Sequence, residues 1–175
     1  MPELIAPAVQ LYDAWREAHA EWGPGWHEDG FGLRPGDEVD SSSGFAAWVA
    51  RLTPPPGPSG SPDPGDDRGT YRWIVEDQRV LGAIALRHDR DEHARWAGHL
   101  GFGIRPSARR RGLASWALGR MLDEARALGR ERLLVVCATG NVASARTIER
   151  CGGVFEGVGE TRLGSTRRYR FTLRG

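Results

Sequence analysis

The sequence predicts a single α/β (α+β) domain: a mixed, mostly antiparallel sheet of about six to seven strands with helices on both faces. Three observations predict it. Hydrophobic periodicity changes from helical to alternating across a Pro/Gly-rich stretch at residues 53–69. A glycine-broken strand near 97–105, a helix and an apolar strand at 132–138 form one crossover, which should be right-handed and parallel. Short polar turns join most of the remaining strands as antiparallel hairpins. A chain of 175 residues can bury one good core but not comfortably two. It divides into a helical segment at 1–52, the loop at 53–69 and a strand-rich core at 70–175.

Each element has a local cause. In "PAVQLYDAWREAHAEW", Leu11, Ala14 or Trp15, Ala18 and Trp22 recur at helical spacing, and Pro7 suits a first turn. "SSGFAAWVARL" presents Phe45, Trp48, Val49 and Leu52 as the apolar stripe of a second helix. "TYRWIVED" and "RVLGAIALRH" alternate about a turn at Asp77–Gln78 and predict a hairpin. "WAGHLGFGIRP" is a third strand interrupted by Gly98, Gly101 and Gly103, while the preceding "DRDEHARW" reads as a loop. A helix from about Gly112 to Leu128 is expected to bury Ala114, Ala117, Leu118, Met121, Ala125 and Leu128, and Gly129 stops it. "RLLVVCA" is apolar on both faces, as a central parallel strand should be. Asn141 caps "VASARTIERC", Gly152 and Gly153 close it, and "VFEGVGE" with "RRYRFTLRG" makes the last hairpin.

Composition narrows the function classes. Hydrophobic residues at 39% and charged residues at 27% exclude a disordered chain. No run approaches the roughly 18 apolar residues of a membrane span, and the first residues lack the pattern of a signal peptide. A cytoplasmic protein without membrane partners is expected. Cys137 and Cys151 are too few for a disulfide framework and read as buried free thiols. Charge is unevenly spread: residues 1–70 hold 12 acidic residues and 4 arginines, residues 71–175 hold 11 and 20, and Lys is absent. An acidic front and a basic back would suit a cationic substrate meeting an anionic cofactor.

The densest basic cluster, Arg109, Arg110 and Arg111, runs straight into the start of the 112–128 helix. Positive charge there opposes the helix dipole, so the arrangement makes sense if an anion sits on it. Backbone N–H groups of residues 110–114 can cradle a diphosphate. Gly112 and Ala114 let phosphate oxygens approach the backbone. Nucleic acid is not expected, because no aromatic residues interleave with these arginines and net charge is only +1.

"RRRGLA", Arg109 to Ala114, resembles the Gln/Arg-x-x-Gly-x-Gly/Ala pyrophosphate loop of the GNAT superfamily of acyl-CoA-dependent N-acetyltransferases. It lies, as in that family, between a strand ending "GIRP" and the central helix. "NVASARTIERCGGVFEG" resembles the second family signature, and the element order from about residue 70 onward matches. The resemblance implies acetyl-CoA as cosubstrate, held by Arg109, Arg110, Arg111, Gly112, Leu113 and Ala114. It implies a V-shaped splay between the strands near 97–105 and 132–138 that takes the pantetheine arm. A backbone N–H of Gly103 or Ile104 would polarise the thioester carbonyl. Asn141 would contact the pantetheine as well as cap its helix.

The chemistry is less legible. The tyrosine that many family members use to protonate the departing thiolate falls at Ile148, so a phenolic acid is in doubt. His99, on the splayed strand, is the first candidate for general base; a structural hydrogen bond is the competing role. Glu28 and Asp29, flanked by Trp26 and Phe31, would hold a cationic amine. No metal is expected, since His88, His93 and His99 have no ligand spacing. The expected activity is acetyl transfer to a primary amine of a small molecule. A protein or peptide acceptor, or a non-catalytic coenzyme A-binding module, are the alternatives. The aromatic front helices offer a face for a homodimer.

Overall fold

A computed structural model describes residues 1–23, 30–53, 69–88, 92–162 and 164–173. The strands are β1 (Glu3–Ile5), β2 (Thr70–Glu76), β3 (Arg79–Leu86), β4 (Leu100–Ile104), β5 (Arg132–Ala138), β6 (Val154–Thr161) and β7 (Gly164–Thr172). The helices are α1 (Tyr12–Trp22), α2 (Ser42–Leu52), α3 (Glu92–Ala97), α4 (Leu113–Ala127) and α5 (Val142–Arg150). One sheet has the order β1-β2-β3-β4-β5-β7-β6, antiparallel everywhere except between β4 and β5.

Two elements depart from the sequence reading. β1 is too short to carry a period of its own. It is a strand because Ile5 pairs with Trp73 and Glu3 with Val75 at the edge of β2. The "DRDEHARW" segment, expected as a loop, carries α3, which runs to Ala97, so β4 begins only at Leu100. Ala94 and Ala97 are the buried residues that hold this short helix to the sheet. Elsewhere the local signals act as expected. Asp77 (φ 50°) and Gln78 (φ 63°) both take the left-handed conformation of a two-residue hairpin turn, although neither is glycine. Gly129 at φ 80° ends α4.

The two faces carry different cores. Below β2 and β3, Trp15 of α1, Phe45 and Trp48 of α2 and Phe31 between them pack with Trp73 of β2 as an aromatic layer. On the opposite face, α4 and α5 bury Leu118, Met121, Ile148, Leu133, Tyr169 and Phe171. The helical pattern of α1 and α2 and the alternation of β2 and β3 therefore converge on one layer, and the gap described next opens beside it.

Candidate active site

β4 and β5 touch at one register pair, Leu100↔Val135, and then diverge. By contrast, β4 stays paired with β3 from Leu86↔Leu100 to Gly82↔Ile104, and β5 with β7 from Arg132↔Thr172 to Ala138↔Thr166. The splay near 97–105 and 132–138 is thus present. Its peptide groups can be assigned. Arg87 N–H donates to His99 O (2.6 Å) and Arg105 N–H to Leu81 O (2.8 Å), bracketing the β3–β4 ladder. Antiparallel alternation then turns the peptide groups of Gly101 and Gly103 toward β3 and those of Phe102 and Ile104 toward the gap. The peptide group of Gly103 therefore faces its neighbour strand, and that of Ile104 faces the gap.

α4 starts beside the end of β4. Its first residue follows Gly112, at φ 77° and ψ 11°, and no side chain caps the helix. A Cβ at Gly112 would meet no atom within 4 Å, so the approach to the first N–H groups is open. Leu113 is buried and Ala114 half-buried, which anchors the turn without covering it. Such a start is a ready anion site, and its uncapped N–H groups fit the diphosphate of coenzyme A.

The three arginines, expected to act together on that anion, are split among three tasks. Arg109 Nε donates to Ile104 O (3.0 Å) and ties the loop back to β4. Arg111 Nη2 is paired with Glu76 Oε2 at 2.7 Å, holding the loop to the end of β2. Arg110, in the left-handed conformation at φ 65°, is exposed. Its charge, like that of the exposed Arg109, which is bonded only to a neutral carbonyl, is not offset by a carboxylate among the described residues.

His99 sits where β4 meets β5. Its backbone N–H donates to Leu134 O (2.7 Å), and its ring Nδ1 accepts from Leu134 N–H (2.8 Å). A neutral imidazole has one acceptor nitrogen, so this ring must break a bond to β5 before it can take a proton. In this arrangement His99 splints the apex of the gap, the structural role that competes with that of general base. Asn141 Oδ1 accepts from Ser144 N–H (3.1 Å), which confirms the cap and leaves its amide donors for another partner. Ile148 is fully buried in the α4–α5 core, and no phenol stands at that position. The nearby buried phenol, Tyr169, donates to Glu149 Oε1 at 2.7 Å; burial first, and then this bond, pushes its pKa up. Cys151 Sγ donates to Ser115 O at 3.6 Å and joins the end of α5 to the first turn of α4. Burial raises both thiols, Cys137 and Cys151. Glu28 and Asp29 lie outside the described residues. Among the described residues no group of His, Cys, Asp and Glu could hold a metal, and no helix is long and apolar enough to cross a membrane.

One feature escaped the sequence reading. Arg105, 2% exposed, is clamped by two glutamates of α1. Its Nε lies 3.1 Å from Glu21 Oε2, and its Nη2 lies 3.1 Å from Glu21 Oε1 and 3.0 Å from Glu17 Oε1. Ser107 donates to Glu21 Oε2 from both its N–H and its hydroxyl, each at 3.0 Å. The available signal was the four-residue spacing of Glu17 and Glu21, which places both on one helix face.

A family model described as an acetyltransferase (GNAT) domain matches residues 34–154. No curated protein matches the chain. Among solved structures it is similar to a ribosomal-protein alpha-N-acetyltransferase in complex with coenzyme A, with 15% identity and a TM-score of 0.71 over 98% of this chain and 93% of that one. A microcin self-immunity acetyltransferase bound to acetyl-CoA and AMP gives 16% identity and a TM-score of 0.66, covering 98% and 92%. A spermidine N-acetyltransferase chimera, partly from Vibrio cholerae, gives 16% and 0.66, covering 98% and 95%. These likenesses concern the fold alone. On the strength of the family match over most of its length, the chain belongs to the GNAT acetyltransferases, acyltransferases that use acetyl-CoA.

Proposed function

We propose that the protein is an N-acetyltransferase that transfers the acetyl group of acetyl-CoA to a primary amine of a small molecule by direct attack. The observation that carries this reading is the single-pair contact between β4 and β5 beside an uncapped helix start. Acetyl-CoA supplies an acyl group activated as a thioester. The N–H groups at the start of α4, together with Arg110, would hold the diphosphate. The peptide N–H and C=O of Phe102 and the N–H of Ile104 face the gap and would pair with the pantetheine arm, with one N–H left to polarise an acyl oxygen. Asn141 would contribute its amide donors from the far side.

An attacking amine must first be neutral. With Nδ1 of His99 engaged by β5, proton removal falls to solvent, and turnover should rise with pH as the free amine grows. The packed layer of α1 and α2 supports a small acceptor: it covers β2 and β3 with buried aromatics and leaves the gap as the way in. Structural neighbours include enzymes named for spermidine and for a ribosomal protein, so an acceptor panel must contain both kinds.

The test is calorimetry with acetyl-CoA, then thiol release with small primary amines and with peptides bearing a free N-terminus. Release with a small amine is the expected result. Release with peptides alone would replace the acceptor class. Binding without release would make the protein a coenzyme A-binding module, and no binding would end the enzyme reading.

A further inference from the structure

The clamp between α1 and the segment before α4 is not used by acyl transfer, yet it ties α1 to the β3–β4 side of the gap and to the segment that leads into the helix start. Both oxygens of Glu21 are filled: Oε2 by Arg105 Nε, Ser107 N–H and Ser107 Oγ, and Oε1 by Arg105 Nη2. Arg105 is also fixed to β3 through Val80 O (3.3 Å), and Glu17 holds Arg79 of the same strand at 3.3 Å. A carboxylate with four donors in place has little freedom to swing. The segment that leads into the helix start is therefore positioned by α1.

From Glu21 the contacts close into a ring. Its chain neighbour Trp22 packs edge-on against Phe31, with ring centroids 5.3 Å apart. Phe31 follows Gly30, whose backbone lies directly on the sheet. A Cβ there would stand 2.6 Å from Ala83 O and 3.0 Å from Gly101 O, and its φ of 92° also demands glycine. Gly101 belongs to β4, the strand that continues into Arg105 and the helix start. The path thus runs from the helix start to Ser107 and Arg105, to Glu21, to Trp22 and Phe31, and returns to β4 through Gly30.

We propose that Glu21 is a positioning residue that couples the cofactor side of the site to the acceptor side: occupancy of the α4 start is transmitted through Ser107 and Arg105 to the last turn of α1 and to Gly30–Gly32. The proposal rests on the assignment of the α4 start as the coenzyme A cradle. Coenzyme A fixes residues 105–112, and the clamp passes that rigidity to the layer that an acceptor meets. By linkage, whatever orders that layer also tightens coenzyme A binding.

Hydrogen exchange with coenzyme A and with pantetheine, which lacks the diphosphate, separates this from a merely structural role. In the wild-type protein, saturating coenzyme A should slow exchange at residues 104–116 and also, by about threefold or more, at 19–23 and 30–33. Pantetheine should leave 19–23 and 30–33 unchanged. Glu21→Gln should keep the protection at 104–116, lose it at the remote residues, and bind coenzyme A about tenfold more weakly while pantetheine affinity holds. Should Glu21→Gln fail to fold, Ser107→Ala keeps the ion pair and should halve the remote protection. Protection confined to 104–116 in the wild type, or remote protection that survives Glu21→Gln or Ser107→Ala undiminished, would overturn the coupling while leaving the proposed function standing. Absence of coenzyme A binding in the wild type would overturn both.

Discussion

Gly112→Asp separates the fold from the function of the α4 start. Asp is among the few residues that tolerate the left-handed conformation that Gly112 adopts, and the strain costs about 1 kcal/mol. A Cβ at this position meets nothing within 4 Å, so no clash adds to it. The new carboxylate stands beside uncapped N–H groups, and its attraction to the helix dipole returns about 0.3–1 kcal/mol. For a chain of 175 residues the melting temperature should therefore move by no more than roughly 4 °C. Binding responds on a different scale. The carboxylate occupies the place of the diphosphate, and two unit charges about 4 Å apart repel by about 4 kcal/mol in a surface environment. Coenzyme A affinity should fall by roughly a thousandfold. Thermal melts without ligand and calorimetry with coenzyme A measure the two effects. A variant that melts normally and binds within about threefold of the parent would refute the cradle.

Three further outcomes are expected. His99→Asn can still present an oxygen to Leu134 N–H, so it should retain turnover within a few fold and keep the shape of the pH–rate profile, whereas His99→Ala loosens the apex; an acidic limb that vanishes in His99→Asn would restore His99 as the base. Trp48 is 2% exposed, and its indole N–H finds no partner among the described residues, so Trp48→Ala should cost about 3–5 kcal/mol and Trp48→Phe, which removes that donor, less than about 2 kcal/mol by urea denaturation. The hydrogen bonds from Arg105, aided by Ser107, pull the carboxyl of Glu21 from 4.5 down to about 2. Because the folded value lies below the unfolded one, this contribution is present above about pH 4.5 and lost as pH falls toward 2, so Glu21→Gln should show a flatter loss of stability over that window; an unchanged slope would contradict the clamp.

What the sequence revealed followed from signals confined to a few neighbouring residues. Gly112 before an apolar stripe, Asn141 before another and Gly129 after the first each specify a turn by their own chemistry, and each stands where expected. α3 was missed because its six residues mix charge with two small apolar positions, and its helical state depends on burial of Ala94 and Ala97 against the sheet. β1 depends wholly on the edge of β2. The peptide orientation that separates Gly103 from Ile104 is a matter of register, which a one-residue shift would invert. His99 shows the same limit more sharply. Its residue type invites a catalytic role, and only the position of Leu134, 35 residues away in sequence, fills its acceptor nitrogen.

The uneven charge of the two halves has an internal explanation that the sequence could not supply. Glu17 and Glu21 belong to the acidic front, and their partners Arg79 and Arg105 belong to the basic back. The opposing charges therefore meet across the contact between α1 and the β3–β4 end of the sheet, where Arg105 is buried and Glu21 largely covered. A buried arginine left without these carboxylates would carry an uncompensated charge, which is far more costly than losing an exposed pair. Part of the asymmetry is thus spent on assembling the domain before any ligand arrives. Of the three arginines before α4, Arg111 is paired with Glu76, while Arg109 and Arg110 are exposed with charges that no described carboxylate offsets. Glu17 and Glu21 thus belong to the docking of α1, and the basic charge that stays uncompensated lies with Arg109 and Arg110 at the start of α4.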